Sequence, residues 1–174
     1  MYKRQTLVRM LICCVIALLF CITGNAKVPY IPKIINYSVS DYKAGNQNWA
    51  VSQGPGGKMY IGNNRGLLVF DGIHWDLVKL PNNLGVRALY ISKDGRIYVG
   101  SFEEFGYFEM DDENDLIYHS LSSSEMNVYL NNDEFWTINE YKGEIYFQSF
   151  RSFFIYDGEK VRKGVSVSYT HLRA

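Results

Sequence analysis

Along most of the chain, apolar and polar residues alternate at period two in short runs broken by turn residues, the pattern of half-buried β-strands. The stretch Val86 to Met110, VRALYISKDGRIYVGSFEEFGYFEM, holds three such runs, rich in β-branched and aromatic residues. Lys93-Asp94-Gly95 breaks it first and Ser101 to Phe105 second. Asp-Gly between apolar runs predicts a hairpin, because both turn positions tolerate positive φ. The stretch therefore reads as an antiparallel meander. Outside an apolar N-terminal run, no sustained helical period appears.

The same order of features recurs on either side. Upstream, Trp49 to Gln53 is followed by Gly54-Pro55-Gly56-Gly57, then MYIGN, a turn at Asn64-Arg65, and GLLVFDG. Downstream come FWTINE, Tyr141-Lys142-Gly143, EIYFQS, a turn at Phe150-Arg151, and FFIYDG. Superposition places Tyr60, Tyr98 and Tyr146 in one column, at separations of 38 and 48 residues, and Gly57, Gly95 and Gly143 in another. Four-strand repeats near this period predict β-propeller blades. The expected fold is all-β: a partial β-propeller of about three four-stranded antiparallel blades, at about 48–83, 86–121 and 135–165, after an N-terminal signal peptide. In blade one the strands are expected at Trp49 to Gln53, Lys58 to Asn63, Leu67 to Asp71 and His74 to Leu80. Residues 27–47 form a lead-in in which Ile34 to Tyr42 alternates like a strand, and it is expected to complete the last blade of a ring. The polar gap Ser122 to Glu134 reads as an excursion loop with room for a short helical turn. Three blades make an arc, whose cut edge should expose apolar surface.

The ends change the picture. MYKRQ (1–5) and VSYTHLRA (167–174) match the two strands of a common sequencing-library adapter, so the chain is expected to be a piece of a longer reading frame. Residues 6–26 pair Arg9 with the run LICCVIALLFCI and end in small residues at Gly24 and Ala26, the pattern of a secretory signal peptide or, less well, of an N-terminal anchor. All three cysteines, Cys13, Cys14 and Cys21, lie there, which leaves the blades without thiols for disulfides or metal. With both ends set aside, 14 basic residues face 18 acidic ones. No basic stripe remains, which argues against phosphate-backbone binding by this segment.

Candidate chemistry is sparse. Tyr60, Tyr98, Tyr146, Phe70, Phe108 and Tyr156 fall at matching strand positions and are expected to fill the space between blades, and Trp49, Trp75 and Trp136 are expected to be structural too. The loops between second and third strands hold Asn63, Asn64 and Arg65, then Phe102, Glu103 and Glu104, then Arg151 beside Phe150. In a propeller these loops share one face, so the seven residues Asn63, Asn64, Arg65, Phe102, Glu103, Glu104 and Arg151 are the candidate ligand-binding set. DDEND at Asp111 to Asp115 fails as a calcium loop, because Leu116 and Ser122 stand where glycine and glutamate are needed. Ser92 to Gly95 resembles the Asp-box of sialidase-type propellers, but its glycine comes one residue early and no tryptophan follows. His74 and His119 are isolated. No catalytic residue, metal site or cofactor is expected.

QNWAVSQ, MYIGNNRGLLVFDGIHW, VRALYISKDGRIYVGSFEEFGYFE and EIYFQSFRSFFIYDG together resemble the periplasmic sensor region of Bacteroidetes-type regulators with two-component-regulator propeller repeats. The likeness is greatest to the branch in which a triple-tyrosine domain, a membrane helix and a LuxR-type helix-turn-helix follow the propeller. A related branch carries a histidine kinase and response regulator. The resemblance implies a non-enzymatic, ligand-sensing periplasmic segment of an inner-membrane signal-transduction or transcription regulator, responding to a glycan or other small polar ligand. It implies contact with DNA only through a cytoplasmic module and with the membrane only through a transmembrane helix, neither encoded here, and a homodimer at full length. An exported propeller enzyme, of polysaccharide lyase or quinoprotein type, and a non-signalling glycan-binding module are the competing readings.

Overall fold

The computed structural model describes residues 5, 8–16, 32–123 and 127–164. The chain divides into two units, Met1–Asn36 and Tyr37–Ala174. In the first, residues 8–16 are helical. No helix among the described residues is long and apolar enough to cross a membrane. The remainder of the expected signal peptide and the C-terminal adapter match lie outside the described residues, as does the N-terminal match apart from residue 5.

The second unit contains three four-stranded antiparallel sheets, each a meander whose spatial order is its chain order. Blade one comprises β1 (Asn48–Gln53), β2 (Met59–Asn63), β3 (Gly66–Phe70) and β4 (Trp75–Val78). Blade two comprises β5 (Ala88–Ile91), β6 (Ile97–Gly100), β7 (Phe105–Met110) and β8 (Leu116–Ser120). Blade three comprises β9 (Phe135–Tyr141), β10 (Glu144–Ser149), β11 (Phe153–Tyr156) and β12 (Val161–Lys163). The first turn of each blade depends on its glycine column, where Gly57, Gly95 and Gly143 take φ of +82°, +91° and +82°. The outer hairpins of blades one and three close on an aspartate: Asp71 Oδ1 accepts from the N–H groups of Ile73 and His74, and Asp157 Oδ1 from those of Glu159 and Lys160.

Side chains alternate across each sheet, so every blade has a front face turned to the preceding blade and a rear face turned to the following one. Tyr60, Leu67 and Val69 on the rear of blade one meet Ile97, Val99 and Phe108 on the front of blade two. Tyr98, Phe105 and Tyr107 on the rear of blade two meet Ile145, Phe147, Phe154 and Tyr156 on the front of blade three. Phe105 lies 4.8 Å from Phe147 and 5.3 Å from Phe154, centroid to centroid. These two seams are the core. Tyr60, Tyr98, Phe108 and Tyr156 pack in the seams as expected, whereas Phe70 and Tyr146 are only half-buried, Phe70 stacking on Trp75 at the front of blade one.

The lead-in differs from its expectation. Residues 32–38 join no ladder, and Val39–Tyr42 form one helical turn, α1, instead of a strand. A strand is stable only against a partner, and the local sequence offers a helix start: Asp41 Oδ2 accepts from the Ser38 backbone N–H at 2.6 Å and from its hydroxyl at 2.7 Å. Tyr42 and Ala44 pack with Ile61 and Leu68 on the front of blade one, and Tyr37 stands edge-on to Trp75 at 5.2 Å. The excursion loop holds a four-residue helix, α2 (Asn127–Leu130), whose Leu130 enters the second seam.

Candidate functional site

The inner strands β1, β5 and β9 pack side by side, with β5 between the other two. Their first residues share a rim with the β2–β3, β6–β7 and β10–β11 loops. At this rim the ladders slip. Asn48 pairs with Asn63 and Ala50 with Gly62, which leaves Trp49 out of register. Phe135 pairs with Ser149 and Thr137 with Gln148, which does the same for Trp136. Arg87 holds the corresponding place before Ala88, the partner of Gly100. A bulge re-aims its side chain, and here three equivalent residues are turned toward one another.

The Arg87 guanidinium lies 4.4 Å from the Trp49 ring centroid, in cation–π geometry. Its Nε donates to Glu134 Oε1 at 3.1 Å, and a second nitrogen donates to Asn64 Oδ1 at 2.5 Å. Trp49 Nε1 donates to the same Asn64 oxygen at 2.6 Å, and Asn64 Nδ2 donates to Gln47 Oε1. Trp49 and Trp136 meet edge to face at 5.7 Å, and Phe150 lies 5.6 Å from Trp136. Trp49 remains 41% exposed and Phe150 81%, so the cluster presents aromatic surface to solvent. The Trp136 Nε1–H is buried with no acceptor among the described residues.

The structure divides the seven candidate residues by role. Asn63 is fully buried, and its amide is consumed internally: it donates to the carbonyls of Gly45 and Gln47 and accepts from the N–H groups of Gly45 and Arg65. It shapes the loop. Asn64 belongs to the tryptophan–arginine cluster. Glu104 accepts from Tyr118, Ser120 and Ser122, tying β7 to β8; burial, and then this carboxylate, pushes the Tyr118 phenol well up from its ordinary value. Glu103, at φ +54°, accepts from the Asn132 N–H, while Phe102 bridges to Glu134. Arg65 and Arg151 are exposed and form no ion pair with a described residue.

The rim thus joins exposed aromatic faces to a fixed guanidinium, a carboxylate and amides. Such a set can stack on the apolar face of a ring and hydrogen-bond its substituents. Sequence reasoning found the rim and Asn64, but assigned Trp49 and Trp136 to packing and passed over Arg87. Their common signal is position: each stands one residue ahead of the first fully aligned ladder pair.

No protein-family model matches the chain, and no curated protein matches it. Solved structures do. The extracellular domain of the one-component system BT4673 from B. thetaiotaomicron superposes with a TM-score of 0.62 at 12% identity, over 78% of this chain and 19% of that one. The extracellular domain of the hybrid two-component system BT3049 from the same organism gives 0.51 at 18% identity, over 78% and 18%. An inactive variant of virginiamycin B lyase from Staphylococcus aureus, with quinupristin, gives 0.56 at 17% identity, over 78% and 45%. The chain spans about a fifth of the two sensor domains' length. These likenesses show the fold, a run of propeller blades, which agrees with the blade repeats read in the sequence.

Proposed function

We propose that the chain is the ligand-sensing propeller segment of an exported, membrane-anchored signalling regulator, and that its ligand, a glycan fragment or similar polar ring compound, is held at the rim formed by Trp49, Arg87, Trp136 and Phe150. The observation that carries this reading is the convergence of two bulged tryptophans and the equivalently placed Arg87 into one partly exposed aromatic–guanidinium cluster. The neighbouring extracellular domains of one-component and hybrid two-component systems support the signalling and export parts. A ligand signals only by binding two states of the sensor unequally. Asn64 suits such coupling, since it joins the β2–β3 loop of blade one to Arg87 of blade two.

Binding of the full chain to a panel of neutral and uronate-containing oligosaccharides, read by calorimetry, tests the proposal. One or more should bind, and Trp49→Ala and Phe150→Ala should each weaken that binding about tenfold or more, roughly the 1–2 kcal/mol of a lost stacking contact. Tyr141→Ala, at the opposite end of β9, should leave it unchanged. Binding insensitive to Trp49 and Phe150, or no binding across the panel, would sink the assignment. Turnover of a bound sugar would favour the enzyme reading instead.

A further inference from the structure

Two rear-face residues stand at the start of each second strand: Lys58 and Tyr60 in blade one, Arg96 and Tyr98 in blade two, Glu144 and Tyr146 in blade three. In blades two and three the charged member is satisfied from within its own blade. Arg96 Nε donates to Glu109 Oε2 at 3.2 Å, and its guanidinium lies 5.1 Å from the Tyr107 ring centroid. Glu144 accepts from the Tyr146 hydroxyl at 2.9 Å and from Arg162 at 2.8 Å. Blade one differs. The register that pairs Met59 with Phe70 brings Lys58 opposite Asp71, but the Asp71 carboxylate accepts from the turn amides of Ile73 and His74. Lys58 forms no ion pair with a described residue. Tyr60 is 2% exposed, yet its hydroxyl bonds to no described group. Burial pushes this phenol up, so it stays a protonated donor near neutrality.

Both residues line a cavity of about 690 Å³ at the end of the first seam opposite the rim, where the β1–β2 turn of blade one faces the β5–β6 turn of blade two. The Tyr60 ring reaches it beside Gly54, where a Cβ would stand 2.6 Å from the ring Cε2. Pro55 and the exposed Met110 add apolar wall. The two carboxylates of the lining are already engaged: Asp94 accepts from the Ser92 hydroxyl, and Glu109 lies between Arg96 at 3.2 Å and His119 at 3.1 Å. We propose that this cavity is a second ligand site, separate from the rim, which holds a small molecule by its carboxylate: the Lys58 ammonium pairs with the carboxylate, the Tyr60 hydroxyl donates to it, and the rest of the molecule lies against Pro55 and Met110. A cation would meet Lys58 and find both carboxylates taken. A neutral hydroxyl could accept from Tyr60 but would leave the ammonium without a counter-charge, whereas one carboxylate satisfies both donors. An aryl or aliphatic acid and a uronate share this chemistry.

The test is an NMR titration of the isotope-labelled full chain with phenylacetate and with D-glucuronate, each beside its uncharged counterpart, phenylacetamide and D-glucose. At least one acid should shift the amides of residues 54–60 and 94–96, with an affinity about tenfold or more above that of its counterpart. Which acid does so separates an aryl acid from a uronate as the source. Lys58→Met and Tyr60→Phe should each weaken this binding about fivefold or more. Lys142→Met, which removes a charge from the same end of blade three, should leave it unchanged. Tyr60→Phe keeps the ring that packs the seam and Lys58 is exposed, so both variants should retain the native spectrum. Should Tyr60→Phe not fold, Lys58→Met and the contrast between acid and uncharged counterpart decide the matter. Equal binding of acid and counterpart would overturn the proposal, as would binding insensitive to Lys58→Met. Shifts confined to residues 47–49, 87 and 134–136 would assign the acid to the rim instead, and no shift by either acid at about 10 mM would exclude the site.

Discussion

Single side chains carry unequal loads at the rim, and Asn63 carries most. Five of its hydrogen bonds are internal, and it has no exposed surface. Asn63→Ala removes the partner of the half-buried Gly45 N–H and carbonyl together with its own buried packing, so we expect a loss of about 1–3 kcal/mol in denaturant unfolding. Arg65→Ala, two residues along the loop and exposed, should change stability little. Asp71 provides a pH signature at the outer hairpin. The Ile73 and His74 amides hold its carboxyl at about 2, below its unfolded value. A depressed carboxyl pKa contributes stability that is present above the unfolded value, roughly 3.9, and is lost as pH falls through the folded one. The difference in Tm between the native chain and Asp71→Ala should therefore be constant near neutrality and shrink between about pH 4 and pH 2. A difference that persists undiminished at pH 2 would mean that the side chain acts by other means.

At the scale of elements, the glycines under the seams decide how closely blades approach. Gly100→Ala forces a methyl into the Phe135 backbone and side chain, and overpacking of this kind costs about 1–3 kcal/mol. Gln148→Ala, at the equivalent but open position, should cost less than about 0.5 kcal/mol. Equal effects in chemical denaturation would mean that the seams are looser than their geometry shows. The contrast also marks what the sequence made legible. Strand alternation, Asp-Gly turns and the Gly57, Gly95 and Gly143 column depend on period two and positive φ, both local properties, so the three meanders could be read directly. The α1 turn could not, because Ile34 to Tyr42 alternates like a strand and only the absence of a ladder partner leaves Ser38 and Asp41 to cap a helix. The site was half legible for a related reason. The rim loops follow from topology, but the inward turn of Trp49 and Trp136 beside Arg87 comes from bulges, slips between strands that residue type does not announce.

For the whole molecule, the two seams make stability uneven from blade to blade. Blade two is covered on both faces: Ile97, Val99 and Phe108 lie in one seam, Tyr98 and Phe105 in the other, and all five are at most 4% exposed. Among the described residues, blade three joins a seam through its front face, and the 37–44 segment packs on the front of blade one. Opening an outer blade breaks one seam, whereas opening blade two breaks both, so its strands should be the last to exchange. Native-state hydrogen exchange should show the amides of β6 protected about tenfold or more beyond those of β10, although both are second strands hydrogen-bonded on either side. Equal protection would mean that the three blades open as one cooperative unit. The rear face of blade three would then contribute as much as a closed seam, and the asymmetry between Tyr98 and Tyr146 would have no energetic consequence.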